Sequence, residues 1–459
     1  MPRVAIIGGG PGGYEAALVA AQLGADVILA ECDGVGGACV LTDCVPSKTL
    51  IATSEVLVGL GRAQSLGVRL AGEEAVTVDG GRVHARVRAL AHAQSQDIAA
   101  RLGQEGVEVV RGRGRLAGQG RVAIDAPDGT RELDAEVVLL ATGASPRELP
   151  GAVADGSRVL TWRQLYDLPD LPEHLIVVGS GVTGAEFASA YRAMGSEVTL
   201  VSSRHRVLPG EDPDAARVIE EVFAVHGVSV LSSARAARAE PDGQGVRVEL
   251  VDGRVVRGSH CLMAVGSVPR TTGLGLAEHG VALDPAGFVQ VDRVSRTSVP
   301  GIYAAGDCTG VLMLASVAAM QGRTAMWHAL GEAVEPMRLD VVSATVFTDP
   351  EIATVGVTQA SVDAGEVAAR CVMLPLATNA RAKMQGITDG FVKLFARPAA
   401  GTVLGGVVVA PRASELILAV SLAVQNHLTV DQVAHTFSIY PSLSGSLTEA
   451  ARQLMVQGE

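Results

Sequence analysis

The chain has 459 residues, enough for about three domains. Hydrophobic residues make up 48% and charged residues 19%, which supports large buried cores and excludes a disordered chain. A net charge of −12 and only 3% aromatic residues argue against nucleic acid as a partner, because phosphates would be repelled and stacking platforms are scarce.

No apolar run reaches transmembrane length, since Gly, Asp, Arg or Pro interrupts each candidate. Met1 leads almost at once into the strand-like Val4–Ile7, leaving no room for a targeting peptide, so a cytoplasmic protein is expected. The run Val4–Ile7 suits a buried parallel strand. Gly8, Gly10 and Gly13 then form a GxGxxG pattern ahead of a helix-like Tyr14–Leu23, and a second strand, Asp26–Ala30, ends at Glu31. Such glycines allow a tight turn, close approach to a pyrophosphate and close helix packing. Glu31 lies 23 positions after Gly8, near the spacing of an acid that binds a ribose 2′-OH.

Cys39 and Cys44 follow the glycine pair Gly36-Gly37 and precede Pro46 and Lys48. A close pair in a chain with only six cysteines is more often catalytic or metal-binding than a structural disulfide. Metal is the weaker reading, because no second Cys or His cluster lies nearby, and two inert buried thiols are the bland one. Residues five apart on a regular helix point to different faces, so joining these sulfurs requires a local distortion. After a helix-like Thr49–Ala63, the stretch to Arg115 is polar and Arg-rich and reads as solvated helix faces. Glu136–Leu140 is again a buried-strand run and closes on Ala141, Thr142 and Gly143.

The strand–glycine pattern repeats. Leu175–Val178 precedes Gly179, Gly181 and Gly184, with Glu186 two residues on, then a helix to Met194 and a strand from Glu197 to Val201. Two dinucleotide fingerprints imply two dinucleotides, a flavin and a nicotinamide. The position 23 residues after Gly179 is Ser202, not an acid, and Arg204 and Arg206 follow. That favours a 2′-phosphate, hence NADP(H) over NAD(H), with use of both left open. Cys261–Gly266 is a further strand with a glycine turn. Gly301–Cys308 ends in Gly306-Asp307, placed to hydrogen-bond a cofactor hydroxyl. Cys261, Cys308 and Cys371 read as inert core thiols, and a strand-rich third domain begins at Val342.

Taken together, the paired-cysteine stretch, both fingerprints, Ala141-Thr142-Gly143, Gly301–Asp307 and Val346–Glu351 resemble the pyridine nucleotide–flavin disulfide oxidoreductases over almost the whole chain. The resemblance implies an α/β fold: two Rossmann-like domains, for FAD and NAD(P), and a C-terminal α+β dimerisation domain. The implied boundaries are 1–148 for FAD, 149–271 for NAD(P), 272–341 for a central segment returning to the FAD domain, and 342–459 for the interface. It implies a homodimer in which a Cys39–Cys44 disulfide lies against the flavin, with Cys44 proximal to it and Cys39 meeting substrate. Lys48 would approach the flavin and pair with Glu186. Gly266 joins the expected cofactor-binding positions.

The pattern breaks near the C-terminus. Disulfide-reducing members carry a His-Pro with a Glu four residues after the Pro, supplied by the partner subunit; here Tyr440 precedes Pro441 and Gly445 takes the acid's place. A tyrosine, with an ordinary pKa of about 10, is a poor acid–base group for thiol chemistry near neutral pH. His435 is five positions early and reads as structural. The tail Met455–Glu459 lacks the terminal cysteine pair of mercuric reductases. The expected function is therefore FAD-dependent transfer of electrons from NAD(P)H to a quinone-type acceptor. An atypical disulfide reductase using Tyr440 is the alternative, and no metal is expected.

Overall fold

The structure, a computed structural model, describes residues 1–68 and 76–455; the last four residues of the tail lie outside it. Its first sheet has five parallel strands, in spatial order Ile302–Ala304, Val137–Leu140, Arg3–Ile7, Asp26–Glu31 and Glu108–Arg111. Val4–Ile7 and Val137–Leu140 are buried along their length, because helices and further sheet cover both faces. Helix α1 (Pro11–Gln22) leaves the first strand and packs on Ala315–Ala329. The approach is close: a Cβ at Gly322 would lie 2.0 Å from the Gly12 carbonyl oxygen. The segment carrying Ile302–Ala304 and this helix therefore completes the first sheet from far along the chain.

Between the second and third of these strands in the chain come three helices: α2 (Gly37–Leu41), α3 (Cys44–Arg62) and α4 (Gly80–Gln104). The Arg-rich stretch is mainly α4, started by Asp79, whose side chain accepts from the Arg82 N–H at 2.9 Å. Its buried seam is His84, Val87, Ala91, Ser95 and Leu102, at helical spacing. Not all its arginines are solvated faces. Arg86 donates to the Thr49 carbonyl at 3.3 Å and Arg88 to that of Tyr166, so the helix is tied to its neighbours.

A second parallel sheet runs Ser229–Leu231, Glu197–Val201, His174–Val178, His260–Met263 and Val159–Leu160, with helix α5 (Val182–Ala193) after its central strand. Each parallel sheet carries a three-stranded antiparallel insertion, at 113–134 and 236–258. The C-terminal domain is a five-stranded antiparallel sheet in the order Ser343–Val346, Glu351–Gly356, Val403–Ala410, Phe391–Ala396, Arg370–Pro375, with helix Ala413–Gln425 against it. Cys261 and Cys308 are buried, but Cys371 lies on the edge strand and is exposed, which corrects its reading as a core thiol. In Arg370–Pro375 burial alternates along the strand, and Cys371 falls on the outward phase. Among the described residues, no helix is long and apolar enough to cross a membrane.

Lys393 sits mid-strand in this sheet at 2% exposure, reaching Asp212 at 2.9 Å and Asp214 at 3.0 Å on the second fingerprint domain. Removing one partner of a buried ion pair costs about 3–5 kcal/mol, because the remaining charge is left uncompensated. Lys393→Met should therefore lower the urea-unfolding midpoint by far more than the exposed-pair control Arg254→Met, measured by far-UV circular dichroism.

Candidate redox and dinucleotide-binding site

The two fingerprints share one geometry. Gly8 has φ +105° and its hypothetical Cβ would lie 2.2 Å from the Ala141 carbonyl oxygen; for Gly13 the distance to the Gly8 oxygen would be 1.9 Å. Gly179 and Gly184 repeat this, at 2.1 Å from Ala264 O and 1.8 Å from Gly179 O. Only glycine fits at these four positions. Gly10 and Gly181 differ: each is the N-cap of its helix in extended conformation, and a Cβ there would meet nothing within 4 Å. No side chain caps either helix; Pro11 carries no N–H and Gly13 donates to Gly10 O at 2.8 Å, so the Gly12 N–H of α1 and the first-turn N–H groups of α5 are the ones left for a ligand. That is the arrangement a pyrophosphate requires.

The Gly8 N–H donates to Ala30 O and the Gly179 N–H to Val201 O, both at 2.9 Å, so Ser202 is the register equivalent of Glu31. Glu31 accepts from the Gly9 N–H at 2.6 Å and the Asp33 N–H at 2.7 Å, at the mouth of the first fingerprint. Ser202 behaves differently from the direct ligand the sequence suggested. It is fully buried, bonds Ser180 Oγ at 2.7 Å and accepts from the Arg204 N–H at 3.1 Å. Its hydroxyl is consumed inside the loop, and it positions Arg204, which is exposed, and Arg206, which is half-buried.

The cysteine stretch contains the distortion its spacing demanded. α2 ends at Leu41 and α3 begins at Cys44, with Asp43 at φ −129° and ψ −95° between them. Gly36 and Gly37 turn the chain at φ +97° and +58°. Cys39 and Cys44 are free, half-buried thiols that act on each other: Cys44 pulls the Cys39 pKa down, whereas Cys39, together with burial, pushes Cys44 up.

One turn into α3, Lys48 Nζ lies 2.8 Å from Glu186 Oε2 on α5. Glu186 is 4% exposed, and its other oxygen accepts from the Phe347 N–H at 2.9 Å. The Phe347 ring lies under the ammonium, 4.7 Å from Nζ to centroid. Burial is the largest single effect and works against the Lys48 charge, but Glu186, Cys44 and Asp43 together outweigh it and the pKa is raised. Asp307 follows Gly306, whose φ is +81° and whose N–H donates to Gln321 at 2.8 Å. Burial first, and then Asp43, pushes the Asp307 carboxyl up to about 6. Thr142 donates to Arg270 O at 2.7 Å, while Gly143 and Gly266, at φ +69° and +95°, shape the paired turns between the two parallel sheets.

Several neighbours went unread in the sequence. Arg163, Tyr166 and Gln321 are brought here by chain crossings with no local signal; Phe347 lies in the Val346–Glu351 motif and Asp43 between the two cysteines, but neither was assigned a place in the site. Tyr440 is 86% exposed, amid Phe437 at 104% and Ile439 at 78%. Gly445 opens the last helix, and His435 Nδ1 donates to the Asp431 carbonyl at 2.7 Å on its own helix.

The family model described as pyridine nucleotide-disulphide oxidoreductase matches residues 2–322, and that of its dimerisation domain matches 342–451. The chain belongs to this family. Its members bind FAD and NAD(P)H, and the two uncapped helix N-termini with their open Gly10 and Gly181 fit these dinucleotides. The chain is 58% identical to the NAD(P)H dehydrogenase (quinone) of Mycobacterium tuberculosis, over 100% of this chain and 94% of that protein. It is 35% identical to the dihydrolipoyl dehydrogenase of Chlorobaculum tepidum, over 98% and 96%. The crystal structure of LpdA from Mycobacterium tuberculosis superposes with a TM-score of 0.95 at 58% identity, covering 99% of this chain and 100% of that one. The HOCl-induced flavoprotein disulfide reductase of Escherichia coli does so at 0.87 with 25% identity, covering 98% and 99%.

A side chain at Gly10 or Gly181 would enter the space before a helix without disturbing the backbone. Gly10→Val should give folded protein with little FAD absorbance at 450 nm. Gly181→Val should keep its FAD but bind NADPH weakly in fluorescence titration. Equal FAD content in both variants would contradict the assignment of the two sites.

Proposed function

We propose that this chain is an FAD-dependent NAD(P)H:quinone oxidoreductase working as a cytoplasmic homodimer. The observation that carries the reading is a contrast within one site: the Lys48–Glu186 pair is complete at 2.8 Å, while the acid–base positions near the C-terminus hold Tyr440 and Gly445. Bound FAD supplies a carrier that takes hydride from reduced nicotinamide and releases electrons to a second substrate. Lys48 and Glu186 are assigned to the donor side, Lys48 fixed by Glu186 and by the Phe347 ring. Arg204 and Arg206 are assigned to the 2′-phosphate of NADPH, with charge-assisted hydrogen bonds as the source of preference. Asp307 and Glu31 are assigned to hydroxyl groups of FAD. The name of the Mycobacterium tuberculosis relative agrees with a quinone as acceptor.

A homodimer is supported by the dimerisation-domain match and by the exposed apolar run around Phe437–Tyr440, which a second copy would cover. Only six cysteines in 459 residues suit a reducing compartment. The Cys39–Cys44 pair, with both thiols kept, favours one further reading, a disulfide reductase with Tyr440 of the second copy as an atypical acid.

A steady-state panel of quinones, lipoamide and oxidised glutathione separates the two, with quinones expected to dominate. Cys39→Ser should leave quinone turnover within a few-fold; a loss beyond a hundredfold would mean that the thiols relay electrons. Tyr440→His with Gly445→Glu should raise disulfide turnover, since a general acid–base group contributes about 10²–10⁴-fold. The glutamate is tolerated sterically, for a Cβ at Gly445 meets only Ser442 Oγ at 3.6 Å and Ser438 Oγ at 4.0 Å. For the coenzyme, Arg204→Ala with Arg206→Ala should lower kcat/KM for NADPH more than tenfold relative to NADH; an unchanged ratio would contradict the assignment.

A further inference from the structure

Asp43 has no part in the assignments above. It occupies the N-cap of α3, where an aspartate ordinarily turns its carboxylate onto the N–H groups of the first turn. Here it forms no such bond. Only its main-chain carbonyl serves the helix, accepting from the Ser47 N–H at 2.8 Å. The residue is half-buried instead, and burial raises its pKa, opposed by Lys48 and Arg163 and aided by Glu186. Its charge in turn pushes up the Asp307 carboxyl, the Tyr166 hydroxyl and both thiols. Both neighbouring cations have other partners. Lys48 is held by Glu186 at 2.8 Å, and Arg163 is directed to the Ala144 carbonyl at 3.4 Å with its Nε buried and unpartnered. Among the described residues, no cation forms an ion pair with Asp43.

Cys44 is the first residue of the 19-residue α3, where the helix dipole and the open N–H groups favour a thiolate. One residue earlier, Asp43 sets a negative charge against the same helix end. We propose that Asp43 is a specificity-determining residue whose carboxylate disfavours thiolate in the Cys39–Cys44 pair and so turns the enzyme away from disulfide acceptors. The repulsion acts on both sulfurs, adding to the upward push on Cys44 and working against the larger downward pull of Cys44 on Cys39.

The chemistry at stake is thiol–disulfide exchange. Cys39 thiolate would attack one sulfur of a substrate disulfide and expel the other as thiolate. Cys44 thiolate would then attack the Cys39 sulfur, closing the Cys39–Cys44 bond and releasing the second. The pair loses two electrons and two protons, and the substrate leaves as two thiols. Both attacks need thiolate. A quinone accepts two electrons and two protons without either attack.

The specificity half of this proposal rests on the quinone reading; the thiol half does not. The test measures iodoacetamide alkylation of the reduced holoenzyme at pH 7, read at Cys39 and Cys44 by peptide mass spectrometry. Asp43→Asn should speed alkylation at least about fivefold, as the thiolate fraction rises. Asp43→Glu, which keeps the charge, should leave it near the parent rate. In the Tyr440→His/Gly445→Glu background, Asp43→Asn should also raise lipoamide turnover relative to quinone at least about fivefold. An alkylation rate unmoved by Asp43→Asn overturns the proposal, and so does faster alkylation with an unmoved acceptor ratio. If the unaltered enzyme fails to reduce quinones, the quinone reading fails, while the alkylation rates still decide the thiol half.

Discussion

The carboxylate of Glu186 is the point on which the arrangement depends. It sits on α5 of the second fingerprint, takes the Lys48 ammonium of α3 with one oxygen and the Phe347 N–H of the C-terminal domain with the other. Three stretches far apart in sequence therefore meet on one side chain at 4% exposure. A buried carboxylate is tolerated only when both oxygens are satisfied, so each contact is a condition for the other. Lys393, Asp212 and Asp214 make a second buried junction between the C-terminal and second fingerprint domains. Two ionic junctions, rather than an apolar seam alone, fix the angle at which the domains present their helix ends.

That geometry separates two tasks. Donor chemistry needs two dinucleotides brought together, and the paired glycine turns at Gly8 and Gly179 with the open caps at Gly10 and Gly181 provide it. Acceptor chemistry with a disulfide needs a thiolate and an acid–base partner. The chain keeps the two thiols but surrounds them with carboxylates, at Asp43 and Asp307, and offers tyrosine and glycine where a base would stand. On the proposed reading, a site of this kind retains electron transfer and loses proton management at sulfur.

Much of this was legible in the sequence, for physical reasons. Rossmann glycines are forced by atoms 2 Å away, so they recur at fixed spacing, and the same register identified Ser202 as the counterpart of Glu31. Buried parallel strands such as Val137–Leu140 are apolar throughout and stand out. What was illegible depended on crossings. Helix α4 buries His84 and Ser95 in its seam, which blurs the periodicity that would have announced it. The burial of Ser202 and the exposure of Cys371 are matters of loop closure and strand phase, invisible in composition. Arg163 and Phe347 reach the site only because distant segments fold against it.

The most direct test reduces the enzyme anaerobically with one equivalent of NADPH and mixes it, in a stopped-flow instrument, with either a benzoquinone or lipoamide. The account predicts that quinone restores the oxidised flavin absorbance within the turnover time, while lipoamide leaves it bleached over the same interval. Reoxidation by lipoamide as fast as by quinone would contradict it.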